Sequence, residues 1–371
     1  MIRPLLALTI FLASGQVLTA TSPLELIDAF AIEFASNPQI SPDGKRVVYT
    51  RNSMDIIADR VRGRLWTIDA DGSNHRPLLD DSVRASGARW SRDGQRLAYS
   101  VSGDSGSELI VRWASTGQTA RIAQLDHSPG NLAWSPDGSW LAFTMLVPSP
   151  RKPFVTLPAA PKGADWAKPA RVIDRARYRS DGQGYLERGF SHVFVIPADG
   201  GRPRQITSGN YNHSGQLAWT ADGNRIVFSA TRRKGWELET RRSDLFAVTV
   251  ENRAIAQLTN REGPDHGPTV SPDGKWVAYL GYRDIGKSYQ DDELTLFRLD
   301  DKQAAPRRLA GSLDRNLWSC TWAADGTGLF VQYDDQGVTR VGFVSLKDPE
   351  RIVPVASNIG GTTIGRPYAS G

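Results

Sequence analysis

A chain of 371 residues is long enough to bury a large core, and 35 glycines with 22 prolines punctuate it into many short segments. The formal net charge of +5 is too mild for a nucleic-acid-binding stripe, and the basic runs Arg232-Arg233-Lys234 and Arg241-Arg242 read as solvated loop charges. The only cysteine, Cys320, excludes an intrachain disulfide; two residues before Trp322 in an expected strand, it reads as buried packing.

Residues 1–20 have the form of a secretory signal. Arg3 supplies the charge, Leu5 to Ala13 the apolar core, and small residues near Ala20 a cleavage site. The run is too short to span a bilayer and no second span follows. The expectation is a periplasmic or secreted protein without a stable membrane anchor. A lead-in over 21–36 comes next. Ser22-Pro23-Leu24-Glu25 has the pattern of a capping box, which predicts a short helix from about Pro23 to Phe30.

From residue 37 one unit recurs. Ser41-Pro42-Asp43-Gly44 is a tight turn: Pro presets φ for its second position, Asp bonds the local backbone, and Gly accepts the positive φ that closes it. Strands are expected at Pro38-Gln39-Ile40 before the turn and at Lys45 to Thr50 after it. A third follows at Arg64 to Ile68 and a fourth at Arg76 to Leu79. The turn aspartates are Asp43, Asp93, Asp137, Asp222, Asp273 and Asp325, at steps of 50, 44, 85, 51 and 52 residues. Four strands per unit at this period predict an all-β fold, a β-propeller of four-stranded blades. Leu97-Ala98-Tyr99, Leu141-Ala142-Phe143, Ile226-Val227-Phe228 and Val277-Ala278-Tyr279 are apolar on both faces, as strands sandwiched between neighbouring sheets must be. The turn aspartates are therefore expected a blade apart, as structural residues rather than metal ligands or paired acids.

The 85-residue step contains only one outer hairpin, His192 to Thr207, so its excess is an insertion within blade three, at about 146–191. Its first half, Val147 to Pro169, is rich in Pro and Ala and reads as an extended loop. Arg366 to Gly371 reads as the opening strand of a seventh blade. The architecture expected is six complete blades plus this first strand, with the propeller over 37–371.

Tandem Trp-Ser-Pro-Asp-Gly hairpins resemble those of two kinds of exported propeller, the TolB-type periplasmic binding module and the propeller half of prolyl oligopeptidase-family serine peptidases. Three segments resemble the acylaminoacyl-peptidase and dipeptidyl-peptidase branch of the second: Leu24 to Asp28 with Asn37 to Gly44, Arg177 to Tyr185, and Gly360 to Pro367. That resemblance implies a non-catalytic propeller that gates peptide access to an α/β-hydrolase domain bearing a Ser-His-Asp triad. No G-x-S-x-G elbow occurs in these 371 residues, so the hydrolase domain would be absent and the chain inactive alone. The alternative is a stand-alone propeller that binds a protein or glycan.

No catalytic residue, cofactor or metal site is expected, since His75, His127, His192, His213 and His266 show no metal-ligand spacing. The insertion is the segment best able to reach a peptide substrate. Arg175, Arg177, Tyr178, Asp181 and Tyr185 offer charge and stacking: a guanidinium can hold a peptide carboxylate, and a carboxylate an amino terminus. The competing reading is that these residues only pin the insertion by ion pairs. Tyr211 and His213, before a core strand, are the remaining candidates for substrate contact.

Overall fold

A computed structural model describes residues 23, 25–103, 106–151, 155, 158–167, 170–301, 303–357, 359 and 360. The signal-like segment, Ser22 of the expected capping box and the expected seventh-blade strand at 366–371 lie outside the described residues. The lead-in helix is a 3-10 turn over Leu26–Ala31, later and tighter than expected. Its box is made by Glu25, at the N-cap, and Asp28, whose carboxylate accepts the Glu25 N–H at 2.8 Å.

Six four-stranded sheets follow. Blade one is Glu33–Ile40, Arg46–Asp55, Arg60–Asp69 and Arg76–Pro77. Blade two is Ala85–Trp90, Arg96–Gly103, Gly106–Trp113 and Thr119–Leu125. Blade three is Gly130–Trp134, Trp140–Pro148, Gly189–Pro197 and Arg204–Gln205, and blade four His213–Trp219, Arg225–Ala230, Asp244–Thr249 and Ile255–Gln257. Blade five is Asp265–Val270, Trp276–Gly281, Glu293–Arg298 and Arg307–Leu309, and blade six Leu317–Trp322, Gly328–Asp335, Val338–Ser345 and Ile352–Ala356. Every pairing within a blade is antiparallel, and strands follow one another in sequence order. This is the six-bladed all-β propeller that the repeat period predicts. The first strand starts at Glu33, earlier than Pro38, and its register shifts between Ser36 and Gln39, where Asn37 takes φ of 51°.

The core lies in the seams between blades. Ala98, Leu109, Leu141 and Phe143 fill the second seam, and Val193, Ile226, Phe228 and Val248 the third. Their central strands are buried on both faces because each sheet has a neighbour on either side. Cys320 belongs to the seam between blades five and six, where burial pushes its thiol up to about 12.

A polar latch repeats across three seams. The indole N–H of Trp134 donates to the Arg89 carbonyl at 2.9 Å, that of Trp219 to Ala133 at 3.1 Å, and that of Trp322 to Thr269 at 3.2 Å. In each case the acceptor precedes the matching position of the blade before. Buried indole N–H groups usually find partners, which gives these three tryptophans a physical reason; the indole nitrogen of Trp90, the equivalent residue of blade two, is buried without a partner among the described residues. Among the described residues no apolar cluster joins blade six to blade one, and Ile40 on one and Phe330, Val353 and Val355 on the other remain exposed.

Candidate functional site

Strand direction separates the two rims. Every first strand runs into a Ser-Pro-Asp-Gly-type corner, so all six corners lie on one rim. The loops joining second to third strands, and those joining successive blades, lie on the other.

The corner rim is built alike in each blade. In blade one the Ser41 hydroxyl donates to Asp43 Oδ1 at 2.6 Å and accepts the Arg46 N–H at 2.9 Å, while the Lys45 N–H donates to the same carboxylate. Ser91, Ser135, Thr220 and Ser271 repeat this relay. Blade six has Ala323 there, and Asp325 takes both the N–H and the hydroxyl of Thr327. Hydrogen bonds to the ionised form hold these carboxylates below their usual range. Asp137, bonded by Ser135 and Ser139, falls to about 2. Each aspartate serves its own corner, and among the described residues no group of three His, Cys, Asp or Glu could hold a metal ion.

The loop rim is irregular and rich in arginine. The insertion leaves the second strand of blade three at Pro148 and returns at Gly189, which pair directly with each other. It carries a small hairpin, Arg179–Ser180 with Gly184–Tyr185, and the described part of 147–169 beyond Pro148 is irregular, as expected. The insertion is pinned in two places. Arg175 Nε donates to Glu237 Oε1 at 2.9 Å, its Nη1 donates to the Gly189 carbonyl at 3.1 Å, and its guanidinium lies 4.7 Å from the Phe190 ring centroid. Arg188 forks Asp174 at 2.7 and 2.9 Å, and Arg151 stands 3.6 Å from the same carboxylate. Arg175 is therefore a tether to the blade-four loop.

Four of the seven candidate residues come together. Arg175, Arg177, Tyr178 and Tyr185 line a cavity of about 250 Å³. Arg177 and Tyr185 also line a neighbouring cavity of about 490 Å³, which Asn212 and Trp236 close from blade four. The Tyr178 and Tyr185 rings lie 6.1 Å apart, both exposed, and the Arg171 guanidinium sits 3.7 Å from the Tyr185 ring centroid. Among the described residues Arg177 makes no ion pair or hydrogen bond. Asp181 is exposed on the hairpin turn and lines neither cavity.

Tyr211 and His213 do different work. His213 is 0% exposed at the start of its strand. The Arg232 guanidinium donates to its Nε2, so the imidazole carries its proton on Nδ1, which donates to the Ser191 carbonyl at 3.0 Å. Burial pushes His213 down to about 3 and its neighbour His192, whose ring is 5.0 Å away, down to about 4. Both are neutral at pH 7. Tyr211 packs under Arg232, whose guanidinium is 5.0 Å from its ring centroid. These residues form a polar plug in the seam between blades three and four, and His213 has no surface to offer a substrate.

The arginines of the basic runs are engaged with partners, contrary to expectation, while Lys234 is exposed. Arg232 bonds His213 and the Ser208 carbonyl, Arg233 pairs with buried Asp244 at 2.8 Å, Arg241 stands 3.4 Å from Asp284, and Arg242 forks Glu262. Glu237 and Trp236, which close the site from blade four, lie directly after the first run. An acidic and an aromatic residue beside clustered arginines in a blade loop are the signal that marks them in the sequence. Burial pushes Asp244 and Asp265 up, with Arg261 2.6 Å from the latter.

Residues 167–286 match the family described as the dipeptidyl peptidase IV (DPP IV) N-terminal region. The dipeptidyl-peptidase 5 of Porphyromonas gingivalis is 23% identical over 327 residues, covering 84% of this chain and 46% of that protein. The acylaminoacyl peptidase of Pyrococcus horikoshii superposes with a TM-score of 0.65 at 13% identity, covering 88% of this chain and 46% of that one. The β-propeller domain of the Trilobed protease from Pyrococcus furiosus gives 0.58 at 12% identity, covering 88% and 84%. The chain is thus a propeller similar to the propeller portions of peptidase-family proteins, and it spans about half the length of the first curated relative it matches.

Proposed function

We propose that this chain is the non-catalytic, substrate-gating portion of an exported serine peptidase. The bond-breaking Ser-His-Asp chemistry resides in an α/β-hydrolase domain outside these 371 residues. The observation that carries this reading is the match to a dipeptidyl-peptidase 5 along 84% of the chain but only 46% of the relative. A peptidase needs more than a propeller, and the sequence contains no G-x-S-x-G elbow. The loop rim is the face that meets peptide, because the insertion, its two cavities and its arginines are all there. The corner rim has a cavity of about 690 Å³ between blades one and two, but the corner carboxylates that border it, Asp43 and Asp93, are bonded within their own turns. The part of this reading that concerns export is supported by Arg3 and the apolar run Leu5 to Ala13.

Translation of the DNA beyond codon 371 tests this. The expected result is an in-frame G-x-S-x-G, with the extended protein labelled by a fluorophosphonate and residues 1–371 alone unlabelled. A native stop codon after Gly371, with a monodisperse product that retains a protein or glycan partner, would instead establish a stand-alone binding propeller.

A further inference from the structure

We infer that the cleft between the blade-three insertion and blade four is a carboxylate subsite, in which Arg177 receives the free C-terminus of a short peptide. This rests on the reading that the loop rim handles peptides, and it goes further by naming the end of the peptide that is held.

The inference follows from how the charges are paired. Five arginines line the smaller cavity: Arg151, Arg171, Arg175, Arg177 and Arg188. Asp174 serves Arg188 and Arg151, and Glu237 serves Arg175. The other lining carboxylate, Glu187, borders both cavities and stands 3.7 Å from His127 Nδ1, a contact that is an ion pair only when that imidazole is protonated. Arg171 is engaged with the Tyr185 ring. Arg177 is left as a guanidinium without a counter-ion among the described residues, on the wall shared by the two cavities.

A guanidinium presents a planar fork that fits a carboxylate through two parallel N–H···O bonds. Around it, Tyr185 and Trp236 provide aromatic faces for the last side chain of a peptide, and Asn212 borders the same space. Asn212 Oδ1 already accepts the Ser191 N–H at 2.9 Å, which holds that side chain in place. The larger cavity, at about 490 Å³, falls within the size range of small-molecule sites, enough for two or three residues but not for a folded protein. The ligand class is therefore a short peptide with a free α-carboxylate.

The test is calorimetric titration of the chain with trialanine and with trialanine amide, which differ only in the terminal charge. The free acid should bind about tenfold or more tightly, the scale of a charge-assisted hydrogen-bonded pair. Arg177→Gln should abolish the difference, and Arg177→Lys should restore part of it. Because the Arg177 side chain makes no hydrogen bond or ion pair among the described residues, these variants should melt with the parent, which separates loss of binding from loss of structure. Equal affinity for acid and amide, no binding of either, or a preference that survives Arg177→Gln overturns the inference. Inorganic phosphate is the third ligand. If it displaces the peptide at the peptide's own concentration, the site reads anions in general and the peptide assignment fails. None of these outcomes bears on whether a hydrolase domain follows codon 371, so the two proposals fail separately.

Discussion

The two rims of this propeller are made from the same blades and have opposite chemistry. On the corner rim, a hydroxyl, a carboxylate and two backbone N–H groups satisfy one another within six residues, as around Ser135 and Asp137. The corners reach other blades through arginine bridges such as Arg96 to the Gly138 carbonyl at 2.7 Å and through the indole latches of the tryptophans just before them. On the loop rim, polar groups are satisfied at long range, as with Arg175 to Glu237 and Arg232 to His213. Local closure makes a rim that every blade can copy. Long-range closure makes one that differs from blade to blade, and variable loops on a rigid scaffold are where binding sites arise.

Four predictions break or sharpen that contrast. The largest effect should come from what both rims share. Phe143→Ala empties a fully buried site in the seam between blades two and three, where Phe194 stacks at 5.6 Å, and should cost about 3–5 kcal/mol by chemical denaturation. A loss under about 1 kcal/mol would mean that the seams are not the core.

Acid should separate the rims. His213 and His192 have folded values of about 3 and 4, below the ordinary 6.5, so the unfolded chain takes up their protons first. Stability from them is complete above pH 6.5 and falls as pH drops toward 4, by up to about 1.4 kcal/mol per pH unit for each proton. The raised values of Asp244 and Asp265 work in the opposite sense, adding stability as they protonate. The corner aspartates, with lowered values, contribute fully above their ordinary 3.8 and lose that contribution only below it, toward about 2 for Asp137. Denaturation from pH 7 to 4 should therefore slope downward, and His213→Gln should flatten it; an unchanged slope would remove the buried histidines from the account.

Asp137→Ala deletes three local hydrogen bonds to one carboxylate and should cost about 1 kcal/mol, the scale of a lost capping residue, without changing peptide affinity. Smallest of all, Arg177→Gln should leave the melting curve within about 0.5 kcal/mol of the parent. A larger shift would make Arg177 another tether.

What the sequence reveals follows the same division. The corner residues are adjacent in the chain, so Ser135-Pro136-Asp137-Gly138 announces both its turn and the period that counts the blades. The third and fourth strands and the place of the insertion follow from that period. On the loop rim, local pattern runs out. Whether Arg175 binds substrate or anchors the insertion depends on Glu237, 62 residues away. His213 looks available beside Tyr211 and Asn212, yet it is sealed by Arg232 from a run that reads as solvated. Arg177 is conspicuous only once Asp174 and Glu237 are seen to be taken by other arginines.

Hydrogen–deuterium exchange with and without saturating trialanine bears most directly on the division of labour. Protection confined to 171–191 and the blade-four loop at 231–243, with the corners at Asp43, Asp93, Asp137, Asp222, Asp273 and Asp325 unchanged, is the predicted result. Protection at the corners, with the insertion exchanging as before, would put the peptide on the opposite face and contradict it.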